Sequence, residues 1–162
     1  MIMNSYFEDM LPAEEQAQLG FIPTIPEFVS WSEQKWHDLP ALSDTEHVCT
    51  YAQMCDNIAH KRALLASLGL QRADKVAILD NATPEAVEMF LAVTSAGYVA
   101  INLPAQLPEQ AVIGCCLKFG VKALAFGAPF ASVAVLVPCR TLPIAALGET
   151  TAPVADVAPD DP

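Results

Sequence analysis

The sequence predicts an α/β fold: a doubly wound, mostly parallel sheet with helices on both faces. Three observations support this class. Short apolar runs typical of buried strands alternate with helical segments of roughly a dozen residues between positions 50 and 126. The helical segments begin at capping residues and end at glycine. Connections of this length join parallel strands by right-handed crossovers, which cover both faces of a sheet.

The elements before residue 50 are shorter and less regular. A short helix is predicted near Pro12–Leu19, and a longer one from Ile25 to Trp36 with several apolar side chains. Leu39–Ser43 and His47–Cys49 flank a turn at Asp44–Glu46, which is the pattern of a short hairpin.

The helix that begins at Thr50 has the clearest pattern in the sequence. Thr50-Tyr51-Ala52-Gln53 fits a capping box, in which Thr50 Oγ1 accepts from the Gln53 backbone N–H and the Gln53 side chain reaches back. The helix is expected to run to Leu68 and to end at Gly69, which can adopt the left-handed conformation. One apolar face, interrupted by Arg62, is expected to face the core and consists of Tyr51, Cys55, Ile58, Leu65 and Leu68.

The next strand and helix follow directly. Lys75–Leu79 is predicted to be a short buried strand, with an exit turn at Asp80-Asn81-Ala82. Thr83 is expected to cap a helix that has Pro84 at its first position, where proline loses no hydrogen bond. Gly97 is expected to end that helix.

The alternation then continues to the C-terminal third of the chain. Tyr98–Asn102 is the second predicted strand, a helix is expected from Pro108 to Gly120, and Lys122–Phe126 is the third strand. A fourth strand is predicted at Ala131–Val137.

Charge divides the chain into three parts. The net charge is −11, and residues 1–48 contain nine acidic residues and one basic residue. We therefore predict an acidic leader at 1–24, an α/β subdomain at 25–148 and a proline-rich acidic linker at 149–162. Nucleic-acid binding requires clustered Lys and Arg, so this class of function is excluded.

Two uncharged stretches were considered as membrane spans. Met89–Pro108 and Ala123–Cys139 are interrupted by glycine and proline, unlike the roughly 20 continuous apolar residues that a span needs. No secretory signal is present. An odd number of cysteines without such a signal indicates reduced thiols and a cytoplasmic location, and no close pair suggests a metal site; they are Cys49, Cys55, Cys115, Cys116 and Cys139.

The residues by themselves predict no catalytic, cofactor-binding or metal-binding site. The loop after Leu79 lacks the glycine run of a phosphate cradle, so Asn81 and Thr83 are interpreted as turn and cap residues. Glu85 and Glu88 are interpreted as solvated carboxylates at the start of a helix. The remaining candidates are assigned to the surface or to an unfolded tail: His60, Asp160 and Asp161.

Two segments in order resemble a known family. Thr50-Tyr51-Ala52-Gln53-Met54 and Leu68-Gly69-Leu70-Gln71-Arg72-Ala73-Asp74-Lys75-Val76-Ala77-Ile78 resemble the opening of the AMP-forming acyl-CoA synthetases. These belong to the adenylate-forming superfamily, together with nonribosomal-peptide adenylation domains and firefly luciferase. The family usually has a glycine where Ala73 stands.

Three further segments extend the resemblance over Ile22 to Phe126. Asn81–Glu85 with Phe90–Ala92 is similar to a helix of the family, and Ala96–Pro104 (AGYVAINLP) is similar to its second core motif. Leu107–Gln110 is similar to the helix start that follows. We interpret five positions within these motifs as architectural: Thr50, Gly69, Gly97, Asn102 and Pro104.

The resemblance implies a two-step reaction. A carboxylic acid is joined to the α-phosphate of ATP, and a thiol then takes the acyl group. It implies ATP, Mg²⁺ and CoA or a carrier-protein thiol for a full-length parent, and the family's phosphate loop and catalytic lysine are absent from these 162 residues. We therefore expect an N-terminal fragment that is truncated before the phosphate-binding loop, inactive by itself, and built to pack on the remainder of its own polypeptide.

Two alternatives remain open at this point. One is a stand-alone α/β interaction module without catalytic activity, and the other is a different small α/β enzyme of the flavodoxin-like kind. The low charged fraction of 17% predicts an exposed apolar face and self-association through it.

Overall fold

The computed structural model describes residues 24–158 and Asp161. The helix predicted at Pro12–Leu19 and nearly all of the acidic leader lie outside the described residues, and the predicted domain division stays a prediction. The described elements are α1 (Ile25–Trp36), β1 (Pro40–Ser43), β2 (Val48–Thr50), α2 (Tyr51–Ser67), β3 (Lys75–Leu79), α3 (Pro84–Ser95), β4 (Val99–Leu103), α4 (Glu109–Phe119), β5 (Ala123–Phe126), α5 (Ala131–Ala134) and β6 (Arg140–Pro143).

The main sheet confirms the predicted α/β class. It has four strands in the order β4-β3-β5-β6, and every neighbouring pair is parallel. Alternate residues of β3 enter opposite cores: Val76 and Ile78 pack with Met89 of α3, while Ala77 and Leu79 pack with the α4 side. Helices therefore cover both faces of the sheet. The predicted hairpin is confirmed as the separate antiparallel pair β1–β2.

The strand predicted at Ala131–Val137 is wrong. A 3₁₀ turn at Ala128–Phe130 leads into the short helix α5, and the fourth strand is β6. Pro129 lies in the turn with its fixed φ, and the adjacent residues Val133 and Ala134 are both buried, whereas a strand would send neighbouring side chains to opposite faces. The sequence pattern did not predict β6, because this strand lies at the edge of the sheet and buries only Leu142.

The predicted helix ends are confirmed by their hydrogen bonds and backbone angles. The Gln53 amide donates to Thr50 Oγ1 at 3.3 Å, and the Thr50 amide donates to Gln53 Oε1 at 3.0 Å. Thr83 Oγ1 accepts from the Ala86 amide at 3.2 Å. Gly69 and Gly97 follow their helices with φ of +65° and +76°.

The remaining two architectural positions lie at the end of β4. Asn102 is opposite Ile78 of β3 in the parallel register, and its side chain is exposed. Pro104 ends the strand, and its carbonyl accepts from the Leu107 amide at 3.1 Å in the turn before α4. Both residues therefore shape the strand end, as a turn into a helix requires.

Replacing Gly97 by valine is expected to lower the free energy of unfolding by at least about 1 kcal/mol, because a β-branched residue is disfavoured at positive φ. The φ of Gly97 is +76°, so this residue has the positive φ on which the prediction depends. A valine would also crowd Ala155, whose Cβ lies 3.5 Å from an ideal Cβ at this position. Urea unfolding of Gly97→Val beside Gly97→Asn, which tolerates this backbone better, measures the effect; equal midpoints for valine, asparagine and the parent chain would contradict it.

Replacing Ala73 by glycine is expected to stabilise the protein. Ala73 has a φ of +63°, and among the described residues it is the non-glycine residue with positive φ. An alanine held in this region costs roughly 1–2 kcal/mol, and glycine recovers part of that cost after its larger loss of chain entropy. A rise in the melting temperature of Ala73→Gly checks this prediction. Ala66→Gly, at an exposed position of α2, should lower the melting temperature instead.

Residues 148–158, here called the strap, have no regular secondary structure and lie along α2 and α3. The Ala152 amide donates to the Ala59 carbonyl at 3.1 Å, and the Ala155 amide donates to the Ser95 carbonyl at 2.9 Å. The strap is thus hydrogen-bonded to the body although it has the composition of a linker.

Several large apolar side chains are exposed on the α4 side of the sheet. Leu117 and Phe119 of α4 have 63% and 42% exposure, and Val135 and Leu136 after α5 have 81% and 51%. Apolar side chains are therefore exposed on this side of the sheet, although Leu117 and Phe119, two positions apart, lie on different sides of α4. None of the helices in residues 24–158 is long and apolar enough to cross a membrane.

Candidate functional site

The carboxyl ends of β3 and β5 form the first candidate site. In a doubly wound sheet, ligands bind where successive connections leave in opposite directions, and here β3 lies between β4 and β5. Asp80 follows β3 and Gly127 follows β5, so both residues lie at this point. The Gly127 amide donates to the Leu79 carbonyl at 2.9 Å, which holds the two loops together.

The Asp80 carboxylate fills this crevice. The Thr83 hydroxyl donates to Asp80 Oδ2, and a Cβ on Gly127 would overlap the same carboxylate. In this rotamer the Asp80 carboxylate therefore occupies the space beside Gly127, and a side chain at 127 would require Asp80 to move. Asn81 is exposed, and its carbonyl accepts from the Thr83 amide at 2.8 Å, so the turn and cap roles predicted for Asn81 and Thr83 describe their contacts.

A second site was missed by the sequence and lies between α2 and α3. The prediction that Glu88 is solvated is wrong. Its side chain is 3% exposed, because its position on α3 faces α2. Its Oε1 accepts from Asn57 Nδ2 at 2.8 Å, and its Oε2 lies 3.5 Å from Lys61 Nζ. The Lys61 ammonium is 1% exposed and also donates to the Ile144 carbonyl at 2.6 Å. We refer to Asn57, Lys61 and Glu88 as the buried polar network.

A sequence signal for this network exists. The buried residues of α2 are Met54, Ile58, Lys61 and Leu65, which recur at the three- and four-residue spacing of one helix face. Lys61 therefore occupies a core position, while the predicted face is only partly correct. A lysine in a core stripe calls for a buried carboxylate partner, and that partner is Glu88.

The charged and polar groups of this network are paired. Burial lowers the pKa of the Lys61 ammonium, and the nearby Glu88 carboxylate opposes that change. Burial and then Glu88 raise the pKa of the Cys49 thiol, which therefore stays protonated at neutral pH. Among the described residues, every buried side-chain nitrogen and oxygen has a hydrogen-bond partner, so the network has no free group aimed at a ligand.

A third candidate is a cleft of about 640 Å³ between α1, α2 and the strap. It is lined by apolar residues such as Val29 and Leu91, with Glu33 and Cys55 near each other. Burial and then Glu33 raise the pKa of the Cys55 thiol to about 11. The nucleophilic form of cysteine is the thiolate, so Cys55 is not activated.

The other polar residues singled out in the sequence are not brought together. His60 is partly buried, and its Nδ1 lies 2.7 Å from the Gly148 carbonyl oxygen. The assignment of Asp161 to an unfolded tail is wrong, because its carboxylate pairs with Arg72 and accepts from the Ala158 amide; Asp160 lies outside the described residues. Within residues 24–158 and Asp161, no three His, Cys, Asp or Glu side chains are grouped so that they could hold a metal ion.

Comparison with known proteins gives the family. A family model described as "AMP-binding enzyme" matches residues 29–158, which is most of the chain. This chain belongs to the AMP-binding enzyme family. A curated relative, the tenellin synthetase of Beauveria bassiana (strain ARSEF 2860), is 28% identical over 94 residues, which make up 58% of this chain and 2% of the relative.

Solved structures of AMP-binding and related enzymes share the fold. The N-terminal subdomain of Klebsiella oxytoca NpsA superposes with a TM-score of 0.74 at 21% identity, covering 86% of this chain and 37% of that one. O-succinylbenzoate coenzyme A synthetase (MenE) from Bacillus subtilis, in complex with AMP, gives a TM-score of 0.69 at 18% identity, covering 79% and 34%. The chain thus spans about a third of each of these solved structures and only 2% of tenellin synthetase.

The described residues do not fit a nucleotide or magnesium site by themselves. Asp80 places a carboxylate where the sheet would otherwise accept phosphates, and like charges repel. No acidic cluster is available for Mg²⁺ within residues 24–158 and Asp161. We therefore assign no step of the family's chemistry to a residue of this segment.

Proposed function

We propose that this chain is the N-terminal fragment of an ATP-dependent acid–thiol ligase and is inactive by itself. In the proposed parent reaction, a carboxylate oxygen attacks the α-phosphorus of ATP and pyrophosphate leaves. A thiol then attacks the acyl carbon and AMP leaves. The observation that carries the proposal is the family match over residues 29–158.

Coverage supports the fragment part of the proposal. The chain aligns with 37% of the NpsA structure and 34% of the MenE structure, so most of each aligned protein lies beyond the aligned part. The exposed apolar side chains Leu117, Val135 and Leu136 belong to the surface proposed to pack on the remainder of the polypeptide, or on a second copy when that remainder is missing.

The acceptor thiol belongs to CoA in an acyl-CoA synthetase and to a carrier protein in an adenylation domain. The aligned structures include a coenzyme A synthetase and an artificially fused adenylation–carrier di-domain of a nonribosomal peptide synthetase. We propose CoA, with the carrier thiol as the alternative. Five free cysteines favour a reducing compartment, and we propose that the parent enzyme acts in the cytoplasm.

The test begins with the source gene beyond codon 162. The longer polypeptide is assayed for ATP–pyrophosphate exchange with fatty, aromatic and amino acids, and the 162-residue chain is assayed in parallel. We expect exchange by the longer polypeptide with one class of acid and none by the short chain. Exchange by the short chain would disprove its inactivity, and CoA against a phosphopantetheinylated carrier then decides the acceptor.

The stand-alone interaction module is the competing function, in which the acidic ends of the chain recruit a partner. It predicts a well-covered surface, so the exposed apolar residues count against it. It requires a native stop codon directly after Pro162 and a partner that covers Leu117 and Val135. If no stop codon is found there and the longer polypeptide exchanges pyrophosphate, this alternative is rejected.

A further inference from the structure

The strap is attached to the body at three successive levels. At its start, a Cβ on Gly148 would lie 2.7 Å from the His60 carbonyl oxygen, so the strap enters in direct contact with the α2 backbone. In the middle, Arg62 Nε donates to the Ala152 carbonyl at 2.9 Å. At the far end, Arg72 Nη1 donates to the Asp156 carbonyl at 2.7 Å.

Arg62 is the unusual member of this attachment. Its guanidinium is half-buried, and burial lowers its pKa. Its partners in the structure are uncharged: the Ala152 carbonyl and, at 3.3 Å, Ser95 Oγ. A rigid guanidinium fork that bridges two acceptors fixes direction as well as distance, which a single charge does not.

Ser95 connects the middle and far levels. Its hydroxyl accepts from Arg62, and its carbonyl accepts from the Ala155 amide at 2.9 Å. Arg72 continues the line, since it also pairs with the Asp161 carboxylate, and Asp161 Oδ2 accepts from the Ala158 amide at 2.8 Å. The strap is therefore held by side chains that are distant in sequence, and Arg72 also pairs with Asp161.

The attachment directs the chain to one edge of the sheet. Arg72 comes just before β3 and Gly97 just before β4, so the far end of the strap lies at the amino ends of these parallel strands. Asp80 and Gly127 lie at the opposite, carboxyl edge. The far end of the strap at Asp156 therefore lies at the edge opposite the crevice that the sheet topology favours for ligands.

We propose that Arg62 and Arg72 are positioning residues that fix where the polypeptide leaves this subdomain, and so align the rest of the enzyme for adenylate formation. The inference rests on the proposed function. Misplacement of reacting groups by about 1 Å can cost on the order of a hundredfold in rate, so a strap held at three levels controls a geometry on which the rate depends.

The first arm of the test measures the strap alone in the 162-residue chain. Hydrogen exchange of the Ala152 and Ala155 amides is compared for the parent chain, Arg62→Gln and Arg140→Gln. Arg140 is an exposed arginine of β6 without a hydrogen bond to the strap in the described structure, which makes it a matched control. We expect Arg62→Gln to accelerate exchange at both amides by about tenfold or more and Arg140→Gln to leave it unchanged.

The second arm uses the longer polypeptide and ATP–pyrophosphate exchange. We expect Arg62→Gln and Arg72→Gln to lower kcat by about tenfold, with KM for the acid and the melting temperature nearly unchanged. Arg62→Lys, which keeps the charge but loses the fork, should recover only part of kcat.

The outcomes separate the two proposals. Unchanged hydrogen exchange in Arg62→Gln, or full kcat in a variant with a released strap, would overturn the positioning role. Inactivity of the unmutated longer polypeptide with every acid would overturn the proposed function and the positioning role together, while the exchange result for the strap would still stand.

Discussion

Replacing Lys61 by methionine is expected to lower the free energy of unfolding by about 3–5 kcal/mol, because it leaves the buried Glu88 carboxylate without its charge partner. Glu88 is 3% exposed and retains the Asn57 amide at 2.8 Å and the weaker Cys49 thiol contact at 3.8 Å. Removal of Lys61 also leaves the Ile144 carbonyl without its 2.6 Å hydrogen bond. Urea unfolding of the single variant measures this cost.

The double variant Lys61→Met with Glu88→Met isolates the pair itself. An apolar pair of similar volume removes both buried charges, so the double variant should be more stable than the sum of the two single effects predicts. Glu85→Gln is the matched control, because it removes a carboxylate from the same helix where it is only partly buried, and it should shift stability by no more than about 0.5 kcal/mol. Strict additivity of Lys61→Met and Glu88→Met would show that the two side chains are not coupled.

Replacing Gly148 by alanine is expected to destabilise the protein by about 1–3 kcal/mol, because the added methyl group is forced against backbone atoms that cannot rotate away. An ideal Cβ would lie 2.7 Å from the His60 carbonyl oxygen and 3.3 Å from the Leu64 amide nitrogen. The 2.7 Å contact between His60 Nδ1 and the Gly148 carbonyl oxygen would be disturbed at the same time. Thermal unfolding of the chain measures the change.

The control for this prediction is another glycine with open surroundings. Gly114 lies within α4, and nothing lies within 4 Å of an ideal Cβ there. Gly114→Ala should therefore stabilise the protein by about 0.5–1 kcal/mol through helix propensity. Two alanine substitutions with opposite signs would show that contact with α2, and not glycine entropy, sets the effect at 148. Destabilisation by both would point to a general intolerance of substitution.

Local chemistry was sufficient to place the helix ends. Thr50 and Thr83 cap helices through hydrogen bonds to residues three positions away, and Gly69 and Gly97 end them through an angle that glycine adopts freely. Each of these features depends on a few consecutive residues. The central strand β3 was also predictable from the sequence, because a strand buried on both faces is apolar nearly throughout.

The elements that were predicted wrongly or missed depend on contacts with residues far along the chain. The segment at 131–137 is apolar enough for a strand, but the turn at Pro129 and the contacts of Val133 and Ala134 with the α4 side of the sheet select the short helix α5. Arg140–Pro143 becomes a strand only because β5 offers it a free edge. Propensity alone does not contain that information, since strand pairing is a tertiary contact.

The sequence by itself determined the α/β class, the capped helices and the family resemblance that the match over residues 29–158 confirms. Only the tertiary structure decided that Glu88 is buried beside Lys61 and that Arg62 and Arg72 hold the strap. The physical reason is the range of the interactions. A cap or a helix stop is settled within one turn, whereas a buried charge or a bridging guanidinium acquires its role from a partner 27 to 90 residues away, which only the folded chain brings into contact.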